Sequence, residues 1–98
     1  MPAAKKPAKP FANLMAALNA FDARDLCSGL SIIVEDDTDE ATVATLEAAT
    51  DAIKTAESVE TMSDFVANLR DAVAALASVS DAAQVLTEIE RILARCAA

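Results

Sequence analysis

Five carboxylates crowd into the six positions from Glu35 to Glu40: Glu35, Asp36, Asp37, Asp39 and Glu40. They are broken only by Thr38 and preceded by the apolar Ile32, Ile33 and Val34. Side chains of that type at that density suit four tasks. They can ligate a hard cation, act as an acid and base pair, start a helix, or offer a basic partner a charge like that of a phosphate backbone.

The first two tasks lack the residues they need. If Asp36 is set as the first position of a calcium-binding loop, Thr38, Glu40 and Glu47 fall at further ligand positions. Ala41, however, stands where the loop's sharp turn requires glycine. There is no histidine, which removes the commonest general base, the Ser-His and Cys-His nucleophile pairs and most transition-metal sites. A single glycine leaves no phosphate-cradling loop and no dinucleotide fingerprint. The sequence therefore points to a protein that is not an enzyme, with no cofactor and no metal.

As a helix start the segment is coherent. Asp37 or Thr38 can cap, Asp37 and Glu40 have capping-box spacing, and acids in a first turn meet the positive end of the helix dipole. That leaves Glu35 and Asp36 in excess, since like charges so close repel one another. Residues 22–60 hold eleven acids against Arg24 and Lys54, a net of −9 within a chain of net charge −8. On a helical wheel Glu40, Glu47 and Asp51 share one face with Lys54. Glu35, Asp36, Asp37, Glu40, Glu47 and Asp51 are thus the candidate partner-binding residues. Such a surface suits a protein with a basic face and repels nucleic acid directly.

Helices must position these acids. With 98 residues the chain has room for one domain with a modest core. Its 54% hydrophobic content includes 24 alanines, which favour helix but bury little area. All three prolines lie in the first ten residues, so strand and turn punctuation is nearly absent from the rest. Phe11, Leu14, Met15, Leu18 and Phe21 recur at spacings of three and four, predicting a first helix with Pro10 in its first turn, ended by a Gly29 cap near Cys27 or Ser28. A second helix is predicted over 39–57 around Val43, Leu46, Ala49 and Ile53. A third over 61–77 would bury Met62, Phe65, Val66, Leu69, Val73 and Leu76. A fourth over 81–97 would bury Val85, Leu86, Ile89, Ile92, Leu93 and Cys96, with Ser80 as its cap.

The fold expected is all-α: a compact bundle of about four helices over residues 11–98. Between the first two helices a short extended segment near 30–36 is expected to lay Ile32 and Val34 across the bundle. Residues 1–10 read as a flexible tail whose Lys5, Lys6 and Lys9 give it a charge of +3 and suit it to touch an acidic surface. Cys27 and Cys96 lie far apart with no CxxC, so free thiols are expected rather than a zinc or redox site. No apolar run approaches a membrane span and no secretory signal is evident, which points to a cytoplasmic protein.

Two functions fit these features. One is a noncatalytic binding module whose acidic face, about residues 35–60, occupies a basic, nucleic-acid-binding type of surface on a partner as an inhibitor or decoy. Short acidic inhibitors of this kind are carried by phages and mobile elements. The other is a structural or assembly subunit of a virion or other large complex, with the basic tail as anchor. A monomer or small homo-oligomer is compatible with both.

Overall fold

The computed structural model describes residues 9–37 and 39–96. Within them the chain forms five α-helices and one 3-10 turn: α1 (Leu14–Ala20), α2 (Ala23–Asp36), α3 (Glu40–Ala56), α4 (Met62–Leu76), the turn Ser80–Ala82, and α5 (Ala83–Cys96). The all-α bundle expected from the sequence is correct. Its helix count is five rather than four, and the region near 30–36 is helical rather than extended.

Both corrections have local causes. The first apolar stripe continues past Phe21, but Asp22 has its carboxylate on the Asp25 N–H at 3.0 Å and opens a new helix. Phe21 is left in extended backbone at the end of α1, where its ring meets Phe65 edge-on with centroids 5.3 Å apart. That pair adds about 0.5–1.5 kcal/mol beyond area burial and fixes the corner between α1 and α2. The start of α1 is likewise set by a side chain other than the one expected. Asn13 caps it by accepting the Ala16 N–H at 3.0 Å, and Pro10 lies ahead of the helix.

Gly29 does not end a helix. It lies inside α2, with no positive φ, and a Cβ built on it would come within 3.3 Å of Val85 Cγ2. A mid-helix glycine costs about 1 kcal/mol in propensity, and here it permits α2 to approach α5. Helical rather than alternating geometry also changes which residues of SIIV face inward. Leu30 is fully buried and Ile33 and Val34 are half-buried, while Ile32, expected to close the bundle, is 62% exposed.

The acids at the second helix start are divided as follows. Asp37 takes up extended backbone at the end of α2 and accepts the Asp39 N–H at 2.8 Å. Asp39, not Asp37 or Thr38, caps α3, accepting the Thr42 N–H at 3.0 Å and its hydroxyl at 2.7 Å. Thr38 lies outside the described residues. At the other end, Ser80 opens the 3-10 turn and no side-chain capping bond forms there, in place of the cap expected for the last helix.

The core is aliphatic with an aromatic centre. Phe65, Leu30, Leu46, Ile53, Leu69, Leu76 and Ile89 are fully buried, and Ala17, Ala49, Ala56, Ala72 and Ala82 fill the close approaches between helices. Met62, Val66, Val73, Val43, Leu86, Ile92, Leu93 and Cys96 take half-buried positions around it. No polar or charged residue is buried among the described residues. α3 and α4 share the most extensive contact, α5 packs on α4, and α2 spans the gap between α3 and the start of α5. Residues leading into α1 are tied to the end of α5. The Phe11 N–H donates to the Arg95 carbonyl, Arg95 Nε donates to the Lys9 carbonyl, and the guanidinium lies 4.0 Å over the Phe11 ring. Lys5 and Lys6 lie outside the described residues.

Candidate functional site

α2 places Glu35, Asp36 and Asp37, α3 carries Glu40, Glu47 and Asp51, and α2 lines a groove on each of its sides. Between α2 and α3 runs a groove of about 740 Å³ lined by Glu47, Asp51, Lys54 and Glu57 along α3 and by Arg24, Cys27 and Val34 on α2. Charge here is mixed. Burial pushes the Cys27 thiol above its ordinary pKa, partly countered by the Lys54 charge, so this sulfur is held in the less reactive thiol form. Cys96, at the end of α5, is raised by burial in the same way, and both thiols are free.

The other groove lies between α2 and the start of α5. A stretch of about 480 Å³ has Gly29 and Val85 in its lining, with Asp25 and Glu88. Beyond Ile32 lies a smaller depression of about 300 Å³ lined by Ile33, Asp36, Asp37 and Asp81. Ile32 lines both, so the two depressions adjoin at this residue and together give an acidic channel along α2. Among the described residues, no lysine or arginine lines either part.

The structure therefore divides the six sequence-derived acids. Asp36 and Asp37 face the α5 side together with Asp81. Glu47 and Asp51 face the α3 side, Glu40 opens α3, and Glu35 projects in the last turn of α2. All are exposed except Asp37, which is half-buried. Lys9 is exposed at the foot of α1, held by its carbonyl to Arg95. Sequence reading missed Asp25, Asp81 and Glu88 as neighbours of this surface, and it missed Ile32 as an exposed residue. Their proximity depends on how α2 packs against α5, and the only local signal for that packing was Gly29.

Three features of the electrostatics stand out. Glu35 and Asp36 occupy the last turn of α2, which contains no basic residue, so they meet the negative end of the dipole and the free carbonyls of that turn. The single salt bridge among the described residues is Arg91 to Glu88 at 3.0 Å, an exposed pair of the kind worth little. Asp39 is held by its own capping contacts. The Thr42 hydroxyl, then the Thr42 N–H, bind its ionised form and hold its carboxyl below the ordinary value.

No group of three or more cysteine, aspartate or glutamate side chains is arranged to hold a metal ion among the described residues. The stretch aligned with a calcium loop is helical from Glu40 onward, which places Glu47 two turns into α3. No helix of the described residues is long and apolar enough to cross a membrane. Comparison of the chain with protein-family models, with curated proteins and with solved structures found no match.

Proposed function

We propose that this chain is a noncatalytic protein-binding module acting in the cytoplasm. Its acidic surface, built from Glu35, Asp36, Asp37, Glu40, Glu47 and Asp51, occupies a basic surface on a partner protein, of the kind that otherwise holds nucleic acid. It acts there as an inhibitor or decoy.

One observation carries the reading: Glu35 and Asp36 sit at the negative end of the α2 dipole, where like charge is expected to oppose folding. They are side by side in the last turn of α2, against the negative end of its dipole and without a salt bridge to any described cation. Solubility is served by acids anywhere on the surface, including helix starts, where they stabilise. Charges kept at a position that costs stability are accounted for by an interaction made outside the folded chain, and a cationic partner meets both the carboxylates and the free carbonyls behind them. Electrostatic attraction then speeds association and makes it salt-sensitive.

The test is capture of partners from lysate, followed by mass spectrometry, with wild type beside a Glu35→Gln, Asp36→Asn, Asp37→Asn variant. These replacements keep shape, and asparagine at position 37 retains an acceptor for the Asp39 N–H. The reading expects a basic protein captured by wild type, released by added salt and lost from the variant. Equal capture by both would remove the acidic surface from the explanation. A salt-insensitive homo-oligomer that captures nothing favours an assembly subunit instead.

A further inference from the structure

We infer that the channel between α2 and α5 is the docking site for a short segment of the partner that carries an aliphatic side chain followed within about one helical turn by lysine or arginine. The inference rests on the acidic-surface reading above and names the chemistry that surface selects.

Ile32 supplies the first part. An isoleucine 62% exposed on a helix whose inward positions are already filled by Leu30 and Ile33 leaves a branched apolar side chain in water. It lines the same depression as Val85, whose side chain packs over Gly29, so its exposed side chain adjoins a small apolar patch where α2 meets α5. An aliphatic anchor placed there removes apolar area from water on both partners, the pattern of a central anchor with a polar rim.

Charge supplies the second part and gives the occupant a direction. At one end of the channel Asp36, Asp37 and Asp81 converge with the carbonyl end of α2, and no described cation forms a salt bridge with them. At the other end Glu88 is already engaged by Arg91, and the one remaining carboxylate, Asp25, lies in the first turn of α2 at the positive end of its dipole. The free negative potential is thus concentrated on the far side of Ile32 from Arg91. A segment with its aliphatic residue at Ile32 and its cations toward Asp36 and Asp81 satisfies both ends, and the reverse orientation brings its cations toward Arg91. A second copy of this chain is a poor occupant, because it brings a net charge of −8 to an acidic channel.

The test is a titration of the isotope-labelled protein, followed by amide chemical shifts, with two synthetic peptides of equal charge. One has two leucines one turn apart, each followed by lysine and arginine; in the other, both leucines are serine. At about 150 mM salt the leucine peptide is expected to bind about tenfold more tightly, with shifts concentrated at Gly29, Ile32, Asp36 and Val85. Ile32→Ala, at an exposed position, is expected to abolish the preference and leave the serine peptide's weaker binding unchanged. Asp36→Asn with Asp81→Asn is expected to weaken both peptides. Equal binding of the two peptides that also ignores Ile32→Ala overturns the docking site, while the acidic-surface reading survives through the effect of the acid variants. Indifference to both the acid variants and salt overturns the two together, as does failure of both peptides to bind. A wild-type dimer dispersed by Ile32→Ala in sedimentation overturns the choice of occupant in favour of a second copy.

Discussion

Gly29 lies so close to Val85 that a Cβ added at position 29 would come within 3.3 Å of the valine Cγ2. The approach of α2 to α5, and so the floor of the acidic channel, depends on this pair. Alanine at position 29 gains about 1 kcal/mol of helix propensity but crowds Val85. Gly29→Ala is therefore expected to be near neutral in wild type and to stabilise by about 1 kcal/mol in a Val85→Ala background, where the crowding is gone. Denaturant melts of the four-protein cycle measure this. An identical effect of Gly29→Ala in both backgrounds would show that the two residues do not constrain each other.

Leu30 and Ile32 separate the helical register of α2 from an extended one. Leu30→Ala, at a fully buried site, should cost about 2–5 kcal/mol, whereas Ile32→Ala should stay within about 0.5 kcal/mol of wild type. Similar losses from the two substitutions would place Ile32 in the core and sink the helical assignment.

Glu35 and Asp36 are predicted to destabilise the free protein. Neutralising each with Gln or Asn should raise stability by roughly 0.3–1 kcal/mol at low ionic strength, with the gain shrinking as salt is added. Thermal melts at low and physiological salt test the sign. A loss of stability on neutralisation would mean that these carboxylates have a structural partner, and the case for an external one would fall.

Asp39 gives the fold a pH-dependent cap. Thr42 holds its carboxyl below the ordinary 3.8, so the ionised form is the one favoured by folding. The stabilisation is complete above that ordinary value and is lost as pH falls through the lowered one. Asp39→Ala should therefore lower Tm at neutral pH, with the gap from wild type closing below about pH 4. Asp39→Asn keeps an acceptor at all pH values and should retain its Tm better than wild type in acid. A wild-type-to-alanine gap that persists unchanged at about pH 2 would contradict the capping role.

The helices most legible in the sequence were α3, α4 and α5, whose heavy apolar residues recur at three and four with little interruption. Leu46, Ile53, Phe65, Leu69, Leu76, Val85 and Ile89 were all assigned to the core and are buried there. The break at Phe21 was misread because the apolar spacing runs across it, and the Asp22 to Asp25 capping pattern looked like helix interior. Gly29 was misread because a lone glycine has two uses, ending a helix or letting two helices approach, and only tertiary contact with Val85 decides between them. Ile32, Ile33 and Val34 suggested an extended segment by their β-branching, and packing of Leu30 and Ile33 against the core overrode that preference. The candidate acids were visible as charge, but their division between two grooves was not. Asp81 meets Asp36 only through the fold, at a separation in sequence that no local pattern reports.

The central claim is that the acids around the end of α2 bind a basic partner at a cost to folding. The most direct measurement is the affinity of wild type and of the Glu35→Gln, Asp36→Asn, Asp37→Asn variant for the captured partner, by calorimetry at physiological salt. The variant is predicted to bind at least about tenfold more weakly, a loss of about 1.4 kcal/mol. An affinity equal to that of wild type would contradict the account.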